Sequence, residues 1–239
     1  MNNEKNRFLN SLLIPALLLI VMWVVKIVEI TWNVSFADFG VRPLHAAGLI
    51  GIITSPFIHE NFDHLISNSV PFFLLALTLF YFYKGIAGRV FFFIWVIDGI
   101  CVWLSGRDAY HIGASGIVYG LASFLFFSGI IRRDSRLAAL TLVIAFLYGS
   151  MVWGIFPNFF PDKNISFEAH LWGLVAGVVF AIYYKKDGPQ PMKYSWELEE
   201  EAEEPVEDEE NDGETIEKKV KADPFWDAPN NFDDFIFKL

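Results

Sequence analysis

The chain has 239 residues, 54% of them apolar and 19% charged, with a formal net charge of −10. The charge is uneven: residues 187–239 hold 18 Asp/Glu and 5 Lys/Arg, which leaves 10 acidic (28 − 18) and 13 basic (18 − 5) residues for 1–186. Neither part suits nucleic acid as a partner. The lone cysteine, Cys101, excludes an intramolecular disulfide and a cysteine-type zinc site.

Several apolar runs approach about twenty residues, the length that crosses a bilayer as a helix. They predict an all-α membrane protein with six spans: Leu9–Ile30, Leu65–Tyr83, Val90–Leu104, Ser115–Ile131, Leu137–Phe156 and Phe167–Tyr184. The first run follows Lys5 and Arg7 but is too long for a signal-peptide core. No small-x-small cleavage site precedes Lys26, so it reads as a retained helix. A loop of about thirty residues joins the first two spans. No internal repeat is evident. The spans define a membrane domain over 1–186, followed by a tail over 187–239.

Lys/Arg asymmetry orients the spans. With the N-terminus in the cytoplasm, that side holds Lys5, Arg7, Lys84, Arg89, Arg132, Arg133, Arg136, Lys185 and Lys186. The other side holds only Lys26, Arg42, Arg107 and Lys163. Trp32, Trp103 and Trp153 fall at outer span ends, as an interfacial aromatic belt would. Both termini are therefore expected in the cytoplasm of a bacterial plasma membrane. The Glu- and Asp-rich stretch 197–217 cannot bury enough apolar surface to fold alone, so a disordered tail is expected. It ends in Phe225, Trp226, Phe232, Phe235, Ile236 and Phe237 interleaved with Asp, which could dock on a cytoplasmic partner or simply be held soluble by charge.

Polar groups inside spans are costly and mark function by default. Gly113-Ala114-Ser115-Gly116 opens the fourth span, where a serine meets free backbone N–H groups and the positive end of the helix dipole. That setting suits a nucleophile whose attack creates an oxyanion, and it equally suits a packing turn or an N-cap. In the sixth span His170 is followed by Gly173 and Gly177. Small residues there let this helix pack closely on Gly116 and Gly120, which would bring His170, the usual base for a serine, beside Ser115. A third cluster holds His59, His64 and Asn68, the last two on one helical face. A metal shared by His59, His64 and His170 is disfavoured, since no Asp, Glu or Cys joins them at zinc spacing and HExxH is absent. No cofactor is expected. Asp98 sits mid-span. It could hydrogen-bond a neighbouring serine such as Ser123 or Ser128, or stay protonated, and a structural role is expected because it lies on a different level from Ser115 and His170.

Taken together, G-x-S-G at Gly113–Gly116, H-x-x-G-x-x-x-G at His170–Gly177 and H-x-x-x-x-H-x-x-x-N at His59–Asn68 resemble the three signatures of rhomboid intramembrane serine proteases, in order and on matching spans. The resemblance covers about Leu44 to Tyr184. It implies Ser115 as nucleophile and His170 as general base, with no acidic third member. The Ser115 N–H, His64 and Asn68 would form the oxyanion hole. Tyr119 would pack on His170, and His59 would be structural. The first loop would be half-submerged. Phe146, Trp153, Phe156, Phe159 and Phe160 would line a substrate gate at the fifth span. Substrates would be single-span membrane proteins cut near small residues. Arg42 stands in the first loop without the Trp-Arg pair of some members. A catalytically inactive relative that only binds membrane proteins would lack the serine or histidine, and both are present. A six-helix transporter would show mid-membrane charges and repeated halves, whereas here Asp98 stands alone.

Overall fold

The computed structural model describes residues 2–147 and 166–188. Seven helices fill them, with no strand among the described residues: α1 (Asn2–Thr31), α2 (Gly51–Thr54), α3 (Phe62–Phe82), α4 (Ala87–Ser105), α5 (Ser115–Ile131), α6 (Ser135–Leu147) and α7 (Phe167–Tyr183). Each expected span overlaps one of the longer helices among the described residues. The fifth, expected over Leu137–Phe156, is described as far as Leu147. Trp153, Phe156, Phe159, Phe160, Lys163 and the tail from 189 lie outside the described residues.

α1, α3 and α4 are long and apolar enough to cross a membrane, whereas α5, α6 and α7 are apolar but shorter. On α1, Leu13, Leu17, Ile20, Val24 and Ile27 form an exposed stripe at helical spacing, while Ser11, Met22, Lys26 and Glu29 face inward. In water such a stripe would be a liability; against lipid it costs nothing. Phe146 is likewise 84% exposed.

α5 is the hub. It packs on α3, α4, α6 and α7, and α1 packs on α3. Every residue from Gly116 to Leu121 is buried, so the helix is enclosed on every side, the mark of a helix apolar all round. The contact between α5 and α7 is the most extensive of any helix pair described. Small residues permit it: a Cβ on Gly173 would fall 2.0 Å from the Gly116 carbonyl oxygen, and one on Gly177 would fall 2.1 Å from that of Gly120. At the end away from Ser115, Arg132 ties the helices together. It donates to Ser128 Oγ at 3.0 Å and to the carbonyls of Tyr184 and Asp187, while Tyr83 Oη donates to the same Ser128.

The long loop 32–61 is built from short helical turns and packs against its neighbours. Lys26 is buried at the end of α1 but spends all three donors, on Glu29 (3.0 Å) and the carbonyls of His59 and Glu60 (2.9 Å each). Glu29 in turn accepts the Phe36 N–H. The loop also pairs with the α4–α5 loop through an antiparallel bridge, Val41 to His111. Arg42 finds its anchor in that second loop. It donates to Asp108 at 3.2 Å and lies 5.4 Å above the Tyr110 ring.

Candidate active site

Ser115 is the first residue of α5, and Ala114 occupies the N-cap position. The serine side chain is therefore not needed as a cap. Its Oγ lies 2.8 Å from His170 Nε2. Tyr119, one turn further along α5, stacks on the His170 ring with centroids 4.2 Å apart and planes inclined by 15°. The stack fixes the imidazole plane, so that Nε2 is held toward the hydroxyl. Ser115 keeps partial exposure while Tyr119 and His170 are buried.

Gly113 makes room on the other side. Its φ of +108° is a conformation that residues with a side chain rarely adopt. A Cβ there would also fall 2.8 Å from the His64 ring and 3.5 Å from Asn68 Nδ2. His64 and Asn68 therefore converge from α3 on the backbone just before Ser115. Asn68 Nδ2 is buried with no hydrogen-bond partner among the described residues. A buried amide donor left unsatisfied is costly, so its persistence beside a candidate nucleophile points to a ligand it would serve. The early N–H groups of α5, that of Ser115 among them, lack helical acceptors at the same place.

His59 packs edge-on against His64, with ring centroids 5.1 Å apart. Burial, with the neighbouring His64 and Lys26, pushes its imidazole down to about 3, so it is neutral at ordinary pH. It supports His64 and does not reach Ser115's partner. His170 bonds Ser115 instead of joining the other two histidines, and no group of three His, Cys, Asp or Glu suited to a metal occurs among the described residues.

Asp98 departs from expectation in its partners and its level. Neither serine is its partner: Ser123 donates to the Gly120 and Leu174 carbonyls, and Ser128 is engaged by Tyr83 and Arg132. The Asp98 carboxyl instead lies against Gly116, where an added Cβ would come 2.0 Å from Oδ2, and it reaches the backbone of Gly173. Asp98 is thus level with the residue next to Ser115. The reason is the α4–α5 loop, which turns back into the bundle before α5 begins. Asp98 is seven residues short of the end of α4 at Ser105, so at 1.5 Å per residue Ser115 lies about 10 Å below that end. The same dip explains how α5 can be short.

Reading by motif also passed over His111, Glu168, Arg107 and Ser166, which link the α4–α5 loop to the start of α7. His111 Nδ1 lies 2.6 Å from Ser166 Oγ, and Glu168 pairs with Arg107 at 3.2 Å.

Known proteins place the chain in a lineage. The rhomboid domain family matches residues 46–187. An uncharacterized protein of Mycobacterium tuberculosis is 36% identical over 150 residues, which cover 59% of this chain and 62% of that protein. The chain thus spans less than two thirds of the length of the mycobacterial proteins it matches. A protein of Acanthamoeba polyphaga mimivirus, provisionally named a rhomboid protein, is 27% identical over 57% of this chain and 75% of its own length. Bacillus subtilis YdcA, provisionally named a rhomboid protease, is 28% identical over 54% of this chain and 64% of its own length. The family match runs from the first loop through α7 and contains Ser115, His170, His64 and Asn68, so this integral membrane protein belongs to the rhomboid family.

Proposed function

We propose that the protein is an intramembrane serine endopeptidase that cuts transmembrane segments of other membrane proteins. The observation that supports this most is the 2.8 Å contact between Ser115 Oγ and His170 Nε2, sunk below the end of the bundle and backed by the stacked Tyr119. His170 takes the hydroxyl proton as Ser115 Oγ attacks the scissile carbonyl carbon. The resulting oxyanion is met by the Ser115 N–H, Asn68 Nδ2 and the His64 ring. His170 then returns the proton to the leaving amine. Water hydrolyses the acyl-enzyme by the same exchange, restoring Ser115. A helical peptide bond is shielded by its own hydrogen bonds, so small, helix-weakening residues near the cut favour substrates. The test is purified protein in liposomes with a single-span protein substrate. Cleavage by the wild type and none by Ser115→Ala is expected; an inactive wild type would leave a membrane-protein binder as the better reading.

Asn68→Ala removes one of several oxyanion donors. A single donor elsewhere contributes about 10²–10³ in turnover. Because the Ser115 N–H and His64 remain, a smaller fall in kcat is expected, with KM little changed. A rate equal to wild type would take Asn68 out of the oxyanion hole.

In this reading residues 1–186 form six spans and the tail after them faces the cytoplasm with the N-terminus, in a bacterial plasma membrane. The Lys/Arg bias and the even number of spans support it. In a Cys101→Ala background, single cysteines at Lys5 and Asn230 should resist a membrane-impermeant thiol reagent added to intact cells and react after lysis. Labelling of either in intact cells would overturn the topology.

A further inference from the structure

The geometry points to His111 as a positioning residue that sets His170 against Ser115 through the first turn of α7, an inference that rests on the protease reading above. Two pairs of residues bridge the same two segments. His111 and Ser166 are 55 residues apart in sequence, as are Ser115 and His170. Each active-site residue follows its clamp residue by four positions. The short segments 111–115 and 166–170, closed by hydrogen bonds at both ends, therefore form one small ring. What fixes His111 to Ser166 limits how far His170 can move from Ser115.

The chemistry of the ring assigns the protons. His111 Nε2 lies 3.0 Å from the Arg107 carbonyl, which can only accept, so Nε2 carries the hydrogen in the neutral imidazole. Nδ1 then accepts from the Ser166 hydroxyl at 2.6 Å. Ser166 Oγ in turn accepts the Ala169 N–H, capping α7, and the Ser166 carbonyl accepts the His170 N–H. Glu168 reinforces the tie. Its carboxylate is buried, accepts the Arg107 backbone N–H at 3.2 Å, and pairs with the Arg107 guanidinium. His111 itself is 4% exposed and is held from behind by its backbone pairing with Val41. Fixed on the first loop, the ring is a rigid post rather than a mobile surface group.

The two ring nitrogens can be separated experimentally. An asparagine side chain places its polar atoms near the Nδ1 position and can keep the bond to Ser166. A glutamine reaches the Nε2 position and can keep only the bond to the Arg107 carbonyl. Full-length His111→Asn and His111→Gln are compared with wild type for cleavage of a single-span substrate in liposomes and for labelling of Ser115 by a fluorophosphonate probe. Hydrogen exchange over 166–170 is followed in parallel. His111→Gln should lose about tenfold or more in kcat and in labelling rate, since displacements near 1 Å cost up to 10²-fold. KM should stay within about twofold. Exchange over 166–170 should quicken. His111→Asn should stay close to wild type in all three. Equal loss in both variants would overturn the inference, because it would show that His111 matters only to the fold of its own loop. So would a glutamine variant indistinguishable from wild type. The exchange data do not depend on activity, so a wild type that neither cleaves nor labels would sink the protease reading while the clamp is still decided.

Discussion

Ser115→Ala and His170→Ala are each expected to reduce cleavage to background, and the double variant to fall no further. The two side chains share one hydrogen bond of 2.8 Å and serve one proton transfer. Without the imidazole the hydroxyl is a poor nucleophile, and without the hydroxyl the imidazole has no proton to take. Residues acting as such a unit are strongly non-additive. Tyr119→Phe keeps the ring that lies 4.2 Å from His170 and should keep most activity. Tyr119→Ala frees the imidazole and should lower kcat with little change in KM. Each variant is checked by thermal melting in detergent, so that lost activity is not mistaken for lost structure. A Ser115→Ala protein that cleaves at the wild-type site and rate would end the protease reading.

The helices were legible because lipid imposes a simple rule. Every backbone group must bond within its own span, so apolar runs of sufficient length become helices, and α3, α4, α5 and α7 begin and end within a few residues of expectation. The residues around Ser115 were legible for a different reason. Polar side chains are rare in such runs, and Ser115, His170, His64 and Asn68 stand out against the background.

Depth and loop chemistry were not legible. Asp98 was set apart from Ser115 because counting along spans assumes that neighbouring helices start level, and α5 starts about 10 Å below the end of α4. A loop that dips into the bundle leaves no periodic trace. His111, Glu168 and Ser166 were passed over because they sit where polar residues are ordinary, in a loop and at a helix start. Only the fold makes them neighbours across a gap of 55 residues. The signal that could have found them is local: Ser166 followed by Glu168 at the head of an apolar run is a helix start with an acidic first turn.

Gly173→Ala should lower both activity and stability sharply, although it touches no reacting atom. The added methyl carbon would sit 2.0 Å from the Gly116 carbonyl oxygen, against about 3.4 Å for ordinary contact, and the three nearest atoms are all Gly116 backbone. No rotamer change can relieve that overlap. Overpacking that side chains can absorb costs about 1–3 kcal/mol. Here α5 and α7 must part instead, by about 1.4 Å (3.4 − 2.0) if the movement is direct. Ser115 and His170 lie on the two helices that separate, and their 2.8 Å contact would stretch beyond hydrogen-bonding range. Asp98, wedged against Gly116 and Gly173, would lose its fit as well. A fall in kcat of about 10²-fold or more is expected, with a lowered melting temperature. Gly85→Ala is the control, since nothing lies within 4 Å of its Cβ position, and both rate and melting should match wild type. A Gly173→Ala protein with unchanged rate and melting would show that close packing of α5 on α7 is not what holds His170 to Ser115.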